Sequence, residues 1–155
     1  MTITPAPLIR GVNHVSFTVT DLDGPIAFFR DGLGFALTSR AGRPAALAAD
    51  LTGVPGADVE IAFLTGPGLV LELIRFLAPA RADGPLPAAN CPSAAHVALE
   101  TDALDRGLDI ARRFGLRQVG RVVQVATGPN RGRRLVYLQH PAGVNIELVS
   151  DAEIR

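Results

Sequence analysis

Polar and apolar residues alternate between positions 12 and 19. His14, Ser16 and Thr18 fall on one side, and Val15, Phe17 and Val19 on the other. A period of two marks a strand with one buried face. Asp21-Leu22-Asp23 then supplies carboxylates for a helix start. Ile26, Ala27, Phe28 and Phe29 give an apolar stretch, and Gly32 and Gly34 act as stop signals. The pattern predicts strands over 35–39, 59–64 and 69–76, the last two joined by the turn-rich Thr65-Gly66-Pro67-Gly68, and a short helix within 44–53. The order is β-α-β-β-β.

After a Pro-rich stretch the order returns. Residues 95–101 alternate again, with His96, Ala98 and Glu100 opposite Val97, Leu99 and Thr101. A helix is predicted over 102–114 from the stripe Leu104, Leu108, Ile110 and Ala111, with Gly115 as its stop. Strands follow at about 117–125, 134–139 and 144–149. Two echoes mark this as an internal repeat. His14-Val15 and His96-Val97 each open a strand that leads to an acidic helix start. Gly68-x-x-x-Glu72-Leu73 and Gly143-x-x-x-Glu147-Leu148 each close their half. The expected organisation is an α+β fold with a first βαβββ module over 10–77, a linker over 78–92 and a second βαβββ module over 93–151.

Composition narrows the classes. The chain has 155 residues, 48% hydrophobic and 19% charged, enough to bury a sizeable core and too apolar for disorder. Fifteen basic residues, all of them Arg, balance fifteen acidic ones. A net charge of zero leaves no electrostatic footprint for nucleic acid or an anionic membrane. The single cysteine, Cys91, excludes an intrachain disulfide and a multi-Cys zinc site. It is expected to be inert. No apolar run reaches the length of a membrane span, and the opening residues lack the basic and apolar regions of a signal peptide. A soluble, cytoplasmic protein is the expectation.

The candidate chemistry lies on the polar faces. Each half contributes one His at the start of its first strand and one Glu late in its last: His14 and Glu72, His96 and Glu147. The opposite faces, with Val15, Phe17, Val97, Leu99, Ile146 and Leu148, are apolar and suited to packing helices. The four side chains are therefore expected on the other, concave face. Ionisable groups facing a cavity are costly unless paired or bound to a metal. Two imidazoles and two carboxylates suit a divalent ion such as Zn, Ni, Co, Mn or Fe, with bonds near ~2.0–2.3 Å. Taken singly, a strand His held by hydrogen bonds and a solvent-facing Glu are the plain alternatives. Four residues in matching places favour the metal.

Three segments, Asn13-His14-Val15-Ser16-Phe17-Thr18-Val19, Ile26-Ala27-Phe28-Phe29-Arg30-Asp31-Gly32-Leu33-Gly34-Phe35 and Gly143-Val144-Asn145-Ile146-Glu147-Leu148, resemble the vicinal oxygen chelate superfamily. That group includes glyoxalase I, methylmalonyl-CoA epimerase, extradiol dioxygenases, and fosfomycin and bleomycin resistance proteins. The resemblance covers about residues 10 to 150. It implies paired βαβββ modules forming a cupped mixed sheet, helices on the outer face, around a divalent metal held by His14, Glu72, His96 and Glu147. It also implies cups built within one chain or between two; a homodimer is expected, since an open edge of either module would otherwise be exposed. The His/Glu/His/Glu set looks most like glyoxalase I. Epimerases of the group often carry Gln where Glu72 stands, and extradiol dioxygenases use only the two His and the last Glu.

The implied activity is a metal-dependent isomerase, epimerase or lyase acting on a small oxygen-chelating molecule through an enolate-type intermediate. An Fe(II) extradiol-type dioxygenase and a small-molecule-sequestering resistance protein are the alternatives. The general base would be Glu147 or Glu72; Glu60 is a further candidate unless strand register turns it away. Asn130 and Arg131, in the Gly- and Arg-rich loop 126–134, and Tyr137 and Asn145 are candidate substrate contacts. That loop is either a lid that grips an anion or a solvated turn. His140 is expected at a turn outside the cavity. A glutathione adduct, an acyl-CoA thioester and a polyketide-like dicarbonyl all fit this reading.

Overall fold

A computed structural model describes residues 8–80 and 85–151. The middle of the expected linker, residues 81–84, lies outside them. The first half runs β1 (Val15–Thr18), α1 (Asp23–Ala27), β2 (Ala36–Gly42), α2 (Ala45–Thr52), β3 (Asp58–Gly66) and β4 (Leu69–Ala78). One π-helical turn, Phe28–Gly32, continues α1. The second half runs β5 (Val97–Thr101), α3 (Leu104–Arg113), β6 (Arg117–Gln118), β7 (Val123–Gln124), β8 (Arg134–Gln139) and β9 (Asn145–Ser150). The α+β fold of two βαβββ modules is as the sequence predicts.

Each half forms its own open, mixed sheet. The first has the order β1-β4-β3-β2; the second has β5-β9-β8-β6, with β7 also on β8. In both, the first strand pairs parallel to the last, because the crossing helix returns the chain in the same direction. The remaining neighbours pair antiparallel. The strand expected over 117–125 is instead two short ones around Gly120. β6 reaches Gln139 and Leu138, whereas β7 pairs with Leu135 and Arg134.

Local chemistry sets the helix ends. Asp21 accepts from the N–H groups of Asp23 and Gly24 at 3.2 and 2.9 Å, satisfying donors that have no partner within α1. Gly34 leaves the helix with φ of 78°, a conformation that costs glycine no steric penalty.

The two halves share one core. Phe17, Leu22, Ile26, Phe28, Phe29, Leu64, Leu71 and Leu73 from the first pack in the same cluster as Leu104, Leu108, Val136, Leu138, Ile146 and Leu148 from the second. Each of these side chains contributes roughly 1.5–3 kcal/mol by leaving water. Where the helices meet, a Cβ on Gly32 would stand 2.9 Å from Ile110 Cγ2 and 3.0 Å from the Phe114 ring, so a hydrogen there permits the approach. A second, smaller cluster lies on the other face of the first sheet. There α2, through Ala48, packs with Val59, Ile61, Phe63, Ile74 and Phe76. Among the described residues, no helix is long and apolar enough to cross a membrane.

Candidate functional site

Strand register decides which side chains meet. Ser16 pairs with Glu72 across β1 and β4, and Ala98 pairs with Glu147 across β5 and β9. Each histidine stands two residues before that pairing, on the same face as its glutamate. His14 Nε2 lies 3.3 Å from Glu72 Oε2, and His96 Nε2 lies 3.4 Å from Glu147 Oε2. Each imidazole also meets the aromatic ring directly opposite its glutamate. Phe63, paired with Glu72, is edge-on to His14 at 5.7 Å; Tyr137, paired with Glu147, is tilted on His96 at 4.8 Å. Leu71, Leu73, Ile146 and Leu148, which flank the glutamates, point the other way into the shared core.

The donor chemistry asks for something between each pair. His14 Nδ1 lies 2.7 Å from Asn13 Oδ1, an acceptor, and this contact favours the tautomer with its proton on Nδ1. In neutral imidazole this leaves the Nε2 lone pair facing a carboxylate oxygen. That contact is repulsive without a proton or a cation between them. Two atoms bound to one ion at about 2.0–2.2 Å, at tetrahedral or octahedral angles, stand about 2.8–3.6 Å apart. The observed separations fit a metal, and they fit a protonated His–Glu ion pair equally. Glu72 is only 9% exposed, which makes a bare carboxylate there costly.

The structure gathers the four residues two and two. Among the described residues, no three His, Cys, Asp or Glu side chains come together in a place that would hold an ion.

A cavity of about 190 Å³ opens beside His96, lined also by Arg117, Val119, Tyr137, Gln139 and Asn145. Tyr137 and Asn145 are thus brought to the histidine. Asn130 and Arg131 are exposed on the loop between β7 and β8 and do not line this cavity. Their neighbours serve the fold. Arg133 pairs with Glu100 at 2.8 Å and Asp151 at 3.3 Å, and Arg134 pairs with Asp105 at 3.0 Å. Arg117 and Gln139 are additions that the sequence reading did not single out. The available signal was the predicted strand 117–125 with a polar first residue.

Glu60 is turned away. It pairs with Arg75 across β3 and β4, on the same face as Leu71 and Leu73 and opposite to Glu72. There its carboxylate takes the Arg40 guanidinium at 2.8 Å, and that hydrogen bond holds its pKa below the usual range. Arg40 also donates to Asp23 at 2.5 Å. Glu60 is part of an outer-face ion network, on the face opposite to Glu72. His140 lies in the β8–β9 turn as expected but is buried, 3% exposed, against Gly24 at the start of α1. Its Nδ1 accepts from the Ala142 N–H at 3.0 Å. Burial pushes its pKa down, against a smaller upward pull from Asp21. Cys91 is exposed and unbridged.

Comparison with known proteins agrees with this fold. The sequence profile of the Glyoxalase/Bleomycin resistance protein/Dioxygenase superfamily matches residues 11–148. A curated relative, the 2-epi-5-epi-valiolone epimerase of Actinomyces sp, is 31% identical over 155 residues, covering 97% of this chain and 84% of the relative. A glyoxalase family protein from Bacillus cereus superposes with a TM-score of 0.80 at 29% identity, over 96% of this chain and 98% of that one. The fosfomycin resistance protein FosX from Listeria monocytogenes, 16% identical, shares the fold with a TM-score of 0.62, covering 91% and 93%. With paired βαβββ modules, a repeated His–Glu pair and a profile match across nearly its whole length, this chain belongs to the Glyoxalase/Bleomycin resistance protein/Dioxygenase superfamily.

Proposed function

We propose that the protein is a divalent-metal-dependent enzyme of the isomerase, epimerase or lyase kind, and that two copies of the chain complete each reaction centre. The observation that carries this reading is the repeated His–Glu pair, 3.3 Å apart in one half and 3.4 Å in the other. Each pair is half of a four-ligand set, and a single copy keeps the halves apart. The His14–Glu72 pair of one copy would face the His96–Glu147 pair of the other. Open sheet edges support such assembly, since β1 and β5 each end their sheet. Leu8, Ile9 and Val12, just ahead of β1, are exposed by 92, 73 and 84%. Among the possible reactions, the likeness to an epimerase favours epimerisation.

A divalent ion held by these residues supplies Lewis acidity that eases loss of a proton next to a carbonyl. The chain supplies the rest. Glu147 takes the proton from the substrate carbon, and Glu72 of the second copy, on the facing wall, returns one to the opposite side. Tyr137 and Asn145 line the cavity where a small substrate enters. The His14–Asn13 hydrogen bond holds one imidazole in the tautomer that points Nε2 inward.

A mixing experiment tests both the ligands and the assembly. Purified wild-type protein is expected to carry about one divalent ion per chain and to run as a dimer. His14→Ala and His96→Ala should each lose the ion and the turnover. Equal amounts of the two variants, unfolded and refolded together, should regain about a quarter of the sites, because half of the dimers would carry one intact centre. No regain would place the whole site within one chain. Iron with consumption of oxygen would point to a dioxygenase, and a metal-free protein that binds small molecules tightly would point to sequestration.

A further inference from the structure

The two His–Glu pairs match, but the rows beside them do not. One step further along the same face of the first sheet, Ala36 pairs with Thr65, and Thr65 pairs with Val70. The corresponding row of the second sheet is Arg117, Gln139 and Asn145. A small, nearly apolar row in one half thus has a cationic and amide-rich counterpart in the other. The first half also carries α2 and its apolar cluster on this face, whereas the second leaves the cavity of about 190 Å³ beside His96.

The polar row is organised as a relay. Arg117 Nη2 donates to Gln139 Oε1. Gln139 Nε2 donates to Asn145 Oδ1 at 2.9 Å, and Asn145 Nδ2 donates to the Ala95 carbonyl at 3.2 Å. The end of the relay grips the residue just before His96. Gln139 is 4% exposed, so its amide is fixed in orientation by partners on both sides. Its carbonyl in turn holds the guanidinium at the cavity wall.

Arg117 differs from the arginines that serve the fold. Arg40, Arg133 and Arg134 are each paired with carboxylates. Arg117 is bound to a neutral amide, and no described carboxylate lies within ion-pair distance of it. Its remaining N–H groups form a planar fork suited to two oxygens of one anionic group. The cavity, at about 190 Å³, has room for a small anionic group.

We propose that Arg117, held by Gln139 and Asn145, is an oxyanion-binding subsite, so that the substrate carries a carboxylate or phosphate at the end away from its chelating oxygens. The inference rests on the proposed function only in taking the cavity beside His96 as the substrate cavity. Gln139 and Asn145 are positioning residues in it.

Calorimetric titration of the full chain with inorganic phosphate and, separately, with acetate tests this, before and after treatment with a chelator. Binding is expected in both states and should weaken tenfold or more in Arg117→Gln, with Arg117→Lys restoring part of it. Gln139→Leu should weaken it less, since it frees the guanidinium without removing it. Thermal melts of all three variants check folding, and Arg117→Lys keeps a donor for the buried Gln139 carbonyl. Whichever anion binds tighter identifies the oxyanion. Binding that vanishes with the chelator would overturn the subsite and leave the metal reading intact. Equal binding by wild-type and Arg117→Gln, or none by wild-type at tens of millimolar, would also overturn it. Arg117-dependent binding in a protein that never holds metal would keep the subsite and sink the metal reading.

Discussion

The first and second halves agree to within 0.1 Å in their His–Glu separations, 3.3 against 3.4 Å, and each sets an aromatic ring opposite its glutamate, yet the polar groups around those pairs differ. In the first, Glu72 is opposite Phe63, and Asn13 bonds the histidine ring directly. In the second, Glu147 is opposite Tyr137, and Asn145 bonds the backbone just ahead of His96. The separation is set by the parallel ladder of first and last strands, which both halves inherit from the same β-α-β-β-β order. Side chains one row away do not affect that ladder. The repeat therefore preserves the His–Glu geometry while leaving each wall free to change.

The largest effect should come from the carboxylates. Glu147→Gln keeps the shape of the side chain but cannot accept a proton, and turnover should fall by ~10²–10⁴-fold with the melting temperature unchanged. Glu72→Gln is the paired control. If both glutamates move protons, the two variants should lose turnover alike. A loss confined to Glu72→Gln would make that residue the base and reverse the assignment.

Exchanging the aromatic rings sharpens the comparison at lower cost. Tyr137→Phe gives the second half the ring of the first. If the exposed hydroxyl bonds substrate, kcat/KM should drop by about 2–10-fold while metal content stays the same. Phe63→Tyr is expected to change kcat/KM less, because the apolar cluster under α2 surrounds that ring. Metal loss in Tyr137→Phe would show that the ring supports His96 rather than the substrate.

The smallest effect is a pH dependence of stability carried by His140, which has no counterpart in the first half's turn at Pro67-Gly68. Its native pKa lies below the ordinary 6.5 because burial disfavours the charged ring, outweighing the facing Asp21 carboxylate. As pH falls below about 6.5, the unfolded chain takes up a proton that the native one refuses, so stability should decline over that window and recover above it. Chemical denaturation of His140→Asn between pH 5 and 8, compared with wild-type, should show a flatter profile. Equal slopes would place the dependence on other groups.

How much of this was legible depends on the range of the interaction. His14, Glu72, His96 and Glu147 could be placed on one face of each sheet because alternation and the Gly-x-x-x-Glu echo are local in sequence. The exclusion of Glu60 needed the β3–β4 register, since a shift of one residue would have carried it to the other face. Arg117 and Gln139 were missed for a related reason. They are 22 residues apart and meet only because β6 pairs with β8. The loop arginines stood out through composition alone, and two of them proved to be ion-paired to the fold.

The sequence by itself determined the two βαβββ modules, the apolar and polar faces of their strands, and the matching places of the His and Glu residues. These follow from periodicity and side-chain chemistry, which act within a few residues of the chain. Only the tertiary structure decided that the halves share a single core through their helices and hold the His–Glu pairs apart, two and two. Packing of Gly32 against Ile110 and Phe114 and the pairing of strands far apart in the chain carry that decision. Burying apolar area rewards many arrangements of the same modules, and close packing at particular contacts selects among them.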